Sequence, residues 1–256
     1  MLVIRKEQME SLEEVALKNF EDRMVAHFCK EFAPLHCEVI GEEGTHEVVR
    51  FGIEAAEKYE FTNRGPIQFY LEMMFMFGGR FDTDPQFDWA GAILNDAETP
   101  DQTERADKLY EETLAYLDKV AGEKREHAIA AFRRINETNF DNIADETRDI
   151  EPQSREWTKK IYPQKYEYAG EERINRTIES GKRTAEEHKI TTKKGQMLCI
   201  ALAFAMGHGF ADDVLFPWIK ATLTDEKFPD PNERTERLQR KLKIYVEKAV
   251  KNLEKK

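Results

Sequence analysis

Charged side chains gather in two short stretches of similar pattern, and these hold the residues best placed to do chemistry. The stretches read GGRFDTDPQFDW, Gly78 to Trp89, and GHGFADDVLFPW, Gly207 to Trp218. Arginine, histidine and aspartate side chains can bind charged ligands or transfer protons. If the two stretches meet in the fold, they predict one polar binding site between them, built from Arg80, Asp82, Asp84, His208, Asp212 and Asp213.

The same stretches also have a structural interpretation, which we favour. They share the pattern Gly-x-x-Phe-x-x-Asp-x-x-Phe-x-Trp. The glycine lets a buried helix end in a left-handed conformation, and the aromatic rings can fill the gap between that helix and a later one. Asp84 and Asp213 are placed to accept backbone N–H bonds and to start a short helix that carries the tryptophan.

Metal and catalytic motifs are weak or missing. The run DTDPQFD resembles a calcium loop, but its turn glycine is missing, Pro85 interrupts it, and no closing glutamate follows. Glu43 and His46 have the spacing of a di-iron helix, yet that site needs the motif twice, and the equivalent position in the second half of the chain holds Asn175 instead of His46. No zinc motif, GxSxG or P-loop occurs in the sequence. We therefore expect no metal, no cofactor and no catalytic residues.

The two stretches belong to a longer internal match. Shifting the chain by 129 positions aligns residues 34–121 with residues 163–250 without gaps, and 25 of the 88 pairs are identical. Chance would give roughly 6% identity for an average composition. The match predicts a tandem duplication, with a first helical repeat at residues 1–129 and a second at residues 130–256.

Each repeat reads as about five helices. Apolar residues at helical spacing predict a long first helix from about residue 7 to residue 32, which Pro34 ends. Further helices are expected near residues 42–59, 65–79, 89–94 and 99–120, with Thr99 capping the last. No strand pair with a hairpin turn is found. The predicted fold is all-α: two related lobes, each a roughly five-helix unit, packed together.

Composition restricts the class of partner. The net charge is −11, which argues against nucleic acid. Residues 1–129 hold 28 acidic and 14 basic side chains, a net of −14, whereas residues 130–256 hold 22 and 25, a net of +3. No segment predicts a membrane span. Three cysteines without paired spacing indicate free thiols and a cytoplasmic setting.

The first half resembles a known group of proteins. IRKEQMESLEEVALKNFEDRMVAHF and RFGIEAAEKYEFTNRGPIQFYLEMMFMFGGRFDTDPQFDW, within roughly residues 1–120, are similar to uncharacterised all-helical proteobacterial proteins associated with type VI secretion loci. The resemblance implies a bacterial cytoplasmic protein that works beside a secretion apparatus, for example as an adaptor that loads an effector. It supplies no catalytic residues.

Three functions are therefore in view. The leading hypothesis is a non-enzymatic, protein-binding adaptor or chaperone, whose partner is a secretion effector or a spike component. The second is an enzyme or toxin with a site between the two lobes. The third is an immunity or masking protein that acts through its acidic first lobe.

Overall fold

The chain is all α-helical in a computed structural model that describes residues 6–253, and no strand occurs among those residues. The first half contains five helices: α1 Lys6–His27, α2 Pro34–Glu57, α3 Arg64–Phe77, α4 Asp88–Leu94 and α5 Gln102–Val120. The second half contains six: α6 Glu126–Glu137, α7 Ile150–Ile161, α8 Pro163–Glu187, α9 Lys193–Met206, α10 Pro217–Leu223 and α11 Pro231–Leu253. The predicted all-α class is confirmed.

Corresponding helices of the two halves have corresponding bounds. Both ends of α9 lie 129 positions after those of α3, and the same holds for α10 and α4. Helices α2 and α8 start 129 positions apart, and each is broken at a glycine with positive φ. These glycines are Gly41, with φ 77° and ψ 173°, and Gly170, with φ 71° and ψ 168°.

The halves differ at their beginnings. Helix α1 is followed by a single π-helical turn, Phe28–Phe32, and α2 then begins at Pro34, where a helix boundary is predicted. The second half has instead the separate helices α6 and α7, with a 3-10 turn, Phe140–Asn142, between them. This is the region in which the internal sequence match fades.

One predicted helix cap is wrong. Thr99 does not cap α5, because its hydroxyl donates to Asp96 Oδ2 at 2.7 Å. The cap is Asp101, whose Oδ1 accepts from the backbone nitrogens of Thr103 at 2.8 Å and Glu104 at 2.9 Å. The same aspartate pattern precedes α11, where Asp230 Oδ1 accepts from the backbone N–H of Asn232 at 2.9 Å.

Helices α3 and α9 are buried along most of their length, as their apolar sequences predict. The main hydrophobic core draws on both halves; it includes Tyr70 and Met74 from α3 and Leu198 and Leu202 from α9. A smaller cluster, which includes Phe204, lies within the second half. Two related lobes and a boundary near residue 129 remain predictions.

The first half of α1 extends away from this core. From Ser11 to Asn19 every side chain except Ala16 is exposed, and packing against the bundle begins at Phe20, which is 4% exposed. Within residues 6–253, no helix is both long and apolar enough to cross a membrane. The three cysteines Cys29, Cys37 and Cys199 are free.

Candidate functional site

The two stretches singled out by sequence form loops that cross each other, here called the first loop (residues 78–89) and the second loop (residues 207–218). Asp84 Oδ2 of the first loop accepts from the backbone N–H of His208 at 2.7 Å. Asp213 Oδ2 of the second loop accepts from the backbone N–H of Gly79 at 2.8 Å. The two bonds are equivalent, because His208 and Asp213 each lie 129 positions after Gly79 and Asp84.

Each aspartate also accepts a hydrogen bond from a backbone N–H of its own loop. The second oxygen of Asp84 accepts from the backbone N–H of Gln86 at 2.8 Å, and that of Asp213 accepts from the backbone N–H of Leu215 at 2.9 Å. The carboxylates thus accept backbone N–H bonds as predicted, but they start 3-10 and loop turns rather than the tryptophan-bearing helices. The bonds between the loops were not predicted.

Both carboxylates are buried: Asp84 is 1% exposed and Asp213 is 4% exposed. Burial raises the pKa of Asp213 to about 6, while the N–H bonds from Leu215 and Gly79 and the charge of Arg80 oppose the rise. Asp213 is therefore ionised at neutral pH, and each of its oxygens faces an N–H donor. The arrangement satisfies four backbone donors that the crossing removes from water.

The remaining candidates pair around this crossing, with one exception. Arg80 Nη2 contacts Asp212 Oδ2 at 2.7 Å, and both side chains are 46% exposed. The His208 ring lies with Nδ1 3.4 Å from Asp84 Oδ2. Asp82 points elsewhere. Its carboxylate accepts from the hydroxyls of Tyr59 at 2.7 Å and Tyr70 at 3.0 Å, and burial and this carboxylate raise the pKa of both tyrosines.

Aromatic side chains fill the space beside each loop, as the sequence pattern predicts. In the first loop, the ring centroids of Phe87 and Trp89 lie 5.4 Å and 6.3 Å from that of Tyr116 on α5. In the second loop, Phe216 and Trp218 lie 5.8 Å and 6.0 Å from Tyr245 on α11. The gap between the crossed loops is too small to admit a water molecule. The two loops therefore contact each other directly across this gap.

The metal motifs do not assemble either. Glu43 Oε1 contacts Arg50 at 3.3 Å, whereas His46 Nε2 lies 4.0 Å from Asp22, so the two members of the di-iron motif have separate partners. Within residues 6–253, no group of three or more histidine, cysteine or acidic side chains could hold a metal ion.

An apolar cavity of about 200 Å³ lies beside the crossed loops. Its walls come from α2, α3, α6, α7, α8, α9 and α11, together with both loops and the 3-10 turn Phe140–Asn142. Most of its lining is aliphatic or aromatic, and it includes Phe75, Trp157 and Phe204. Ala205, which also lines the cavity, is exposed, so the cavity reaches the protein surface. Nothing in the sequence pattern predicted this cavity.

Two basic residues line the cavity at equivalent positions, because Lys165 lies 129 positions after His36. The His36 ring lies with Nε2 3.3 Å from the Tyr245 hydroxyl, and burial lowers the pKa of His36 to about 4. His36 is therefore neutral at pH 7. Lys165 Nζ donates to Phe204 O at 2.6 Å and lies 4.8 Å from the centroid of the Phe204 ring.

Comparisons with known proteins add nothing to this geometry. No family model, curated protein or solved structure matches the chain.

The crossed loops and the cavity differ in how fully their charged groups are hydrogen-bonded within the protein. The loop carboxylates use both oxygens on the protein itself, whereas the structure gives the Lys165 ammonium one hydrogen bond and, among the described residues, no ion pair.

The buried lysine predicts an unusual pH dependence of stability. Burial lowers the pKa of Lys165 from 10.5 to about 8, although Asp84 opposes the shift. Between pH 8 and pH 10 the unfolded chain binds more protons at this group than the folded chain, so the group's contribution to stability rises with pH. We expect the wild type to gain about 2 kcal/mol relative to Lys165→Met between pH 7 and pH 10.

Urea unfolding of both proteins at the two pH values measures this difference, because groups that titrate in both proteins cancel. Lys160→Met is the matched control: Lys160 is exposed on the neighbouring helix α7, so its difference from the wild type should not change with pH. A constant stability difference between the wild type and Lys165→Met would contradict the prediction.

Proposed function

We propose that this protein is a non-enzymatic adaptor or chaperone that binds a protein partner through the projecting half of α1. The observation that carries the proposal is the exposure of four large apolar side chains within residues 9–17: Met9 46%, Leu12 57%, Val15 56% and Leu17 47%. Isolated helices of fewer than about 12–15 residues are marginal in water. A projecting helix with an apolar surface is typical of a segment that a partner covers.

Charge favours a partner with a basic rim. Two exposed glutamates, Glu13 and Glu14, lie between the exposed apolar residues Leu12 and Val15. The first half as a whole carries a net charge of −14, from 28 acidic and 14 basic residues. The resemblance of residues 1–120 implies a secretion effector or spike component as that partner, and the bacterial cytoplasm as the place where it binds.

We also infer that the two halves arose by tandem duplication. The matching bounds of α3 and α9, the glycines Gly41 and Gly170 with similar φ and ψ, and the equivalent bonds of Asp84 and Asp213 support this origin. A duplicated scaffold whose crossing loops hold its halves together suits a binding protein, because it presents its surfaces rigidly.

Substituting the projecting apolar face should remove partner binding without unfolding the protein. Leu12→Glu combined with Val15→Glu replaces two exposed side chains, so we expect a free energy of unfolding within about 1 kcal/mol of the wild type. Binding should weaken at least tenfold, because each substitution replaces an apolar contact by a carboxylate that the complex removes from water. Crosslinking through the exposed Lys18, followed by mass spectrometry, identifies the partner in a proteobacterial host, and titration with the purified partner measures affinity.

The control variant is Ile244→Glu, which changes an equally exposed apolar residue on α11, 57% exposed, and should bind normally. A partner that binds the double variant and the wild type equally would overturn the proposed surface. A complex that salt weakens but the α1 substitutions do not would favour the hypothesis of a masking protein that acts through its acidic first half. A protein that associates only with itself through α1, as sedimentation would show, would overturn the adaptor.

A further inference from the structure

The cavity beside the crossed loops is lined by a buried ammonium that forms no ion pair among the described residues, although the charge of Asp84 also acts on it. Lys165 is the one residue in its lining that carries a charge at pH 7, and that lining contains no carboxylate. The side chain is 8% exposed. Its Nζ donates to Phe204 O at 2.6 Å and lies 5.5 Å from the ring centroid of Phe87 as well as 4.8 Å from that of Phe204. An ammonium has three donors, so two of them have no protein acceptor among the described residues.

A buried ammonium without a direct ion pair is costly, and such groups in proteins are normally paired. Here the groups around it are apolar, apart from His36, Tyr162, Tyr245 and the indole of Trp157. The Tyr162 hydroxyl is already used, since it donates to Val120 O at 3.0 Å. The Trp157 indole N–H is buried and has no acceptor among the described residues. An ammonium with two unused N–H donors and an indole N–H without an acceptor thus line one apolar space.

We propose that this cavity binds a compact apolar monocarboxylate, with the carboxylate on Lys165 and the apolar body against Phe75 and Phe204. The volume suits this class, since an apolar cavity of about 150 Å³ holds benzene and this one measures about 200 Å³. Because the protein already holds the ammonium out of water, only the ligand loses hydration when the ion pair forms. The site lies away from the projecting half of α1 and does not depend on the proposed function.

Charge complementarity selects an acid over other apolar molecules. A neutral ligand would fill the space but leave the ammonium unpaired, and a cation would be repelled. The lowered pKa of Lys165, caused by its burial, supports the same conclusion, because a carboxylate beside it would offset the cost of the buried charge.

The test compares phenylacetate with phenylacetamide, two probes of the same shape that differ in charge. We expect phenylacetate to bind the intact protein saturably and at least tenfold more tightly than phenylacetamide. Binding should shift one of three indole N–H signals in a nitrogen–proton correlation spectrum, that of Trp157, because Trp89 and Trp218 do not line the cavity. Lys165→Met should weaken phenylacetate binding at least tenfold and leave phenylacetamide binding unchanged.

Two further variants distinguish binding in the cavity from nonspecific binding elsewhere on the protein. Ala205→Phe places a ring at the exposed edge of the lining and should weaken both probes. Lys160→Met removes an exposed lysine on α7 and should weaken neither. The proposal is overturned if the wild type binds neither probe at millimolar concentration, if both probes bind equally, or if Lys160→Met and Lys165→Met weaken phenylacetate alike.

Discussion

Replacing Asp213 by alanine should destabilise the protein by about 2–5 kcal/mol. The substitution leaves the backbone N–H groups of Gly79 and Leu215 without their acceptor. Each buried donor that loses its acceptor costs about 1–3 kcal/mol. In a chain of this length, that loss corresponds to a melting temperature lower by roughly 5–15 °C. Differential scanning fluorimetry and urea unfolding measure it, and Asp84→Ala should lose at least as much because its two backbone contacts are equivalent and its carboxylate also accepts from the Gln86 side chain.

Two substitutions sharpen this test. Asp213→Asn keeps the shape of the side chain, but its amide nitrogen must face one of the two N–H donors, so it should recover little of the lost stability. Asp212→Ala changes the adjacent residue, whose ion pair with Arg80 is half exposed, and should cost less than about 1 kcal/mol. Equal losses at positions 212 and 213 would show that the crossing bonds do not hold the loops together.

Replacing Gly78 by alanine should be at least as damaging, with an expected loss of about 3 kcal/mol or more. Gly78 has φ +105°, and a Cβ at this position would lie 2.5 Å from the carbonyl oxygen of Met206. The backbone conformation costs a non-glycine residue roughly 1–3 kcal/mol, and the contact with Met206 adds to it. The contact is with backbone, so no side chain can move aside. Urea unfolding gives the free energy of the variant directly.

Alanine variants of two other glycines separate the cost of the backbone conformation from the cost of the contact with Met206. Gly41 has a φ of +77° but an added Cβ would meet nothing within 4 Å, so Gly41→Ala measures the conformational cost alone. Gly65 lies in α3 without positive φ and with open space around it, so Gly65→Ala should be neutral or slightly stabilising. If Gly78→Ala lost no more stability than Gly41→Ala, the close approach of the two loops would have no energetic weight.

Much of this architecture could be predicted because it depends on local chemistry. Buried helices such as α3 and α9 follow from apolar runs that end in glycine, and the boundary at Pro34 follows from steric restriction. The correct cap of α5 could also be predicted from the sequence. Asp101 aligns with an identical Asp230 in the other half, whereas Thr99 aligns with Phe228. Reading the two halves together favours the aspartate.

The crossing bonds and the cavity could not be predicted in the same way. Aspartates in both loops indicated backbone acceptors, but which donors they reach depends on how the halves pack. Lys165 lies in the polar segment PQKYEY and aligns with His36, so no local pattern marks it as buried. Its environment is created by helices distant in sequence, including α3, α9 and α11.

The hydrogen bonds that Asp84 and Asp213 accept from the opposite loop bear on how a chain of two similar halves could have evolved. Neither loop satisfies the backbone N–H at its own start; the oxygen that does so comes from the other half. A polypeptide of half this length would have to take that oxygen from a second molecule, and a two-fold homodimer would supply both at once. Fusion of the genes for two such subunits would turn these reciprocal hydrogen bonds between subunits into bonds within one chain.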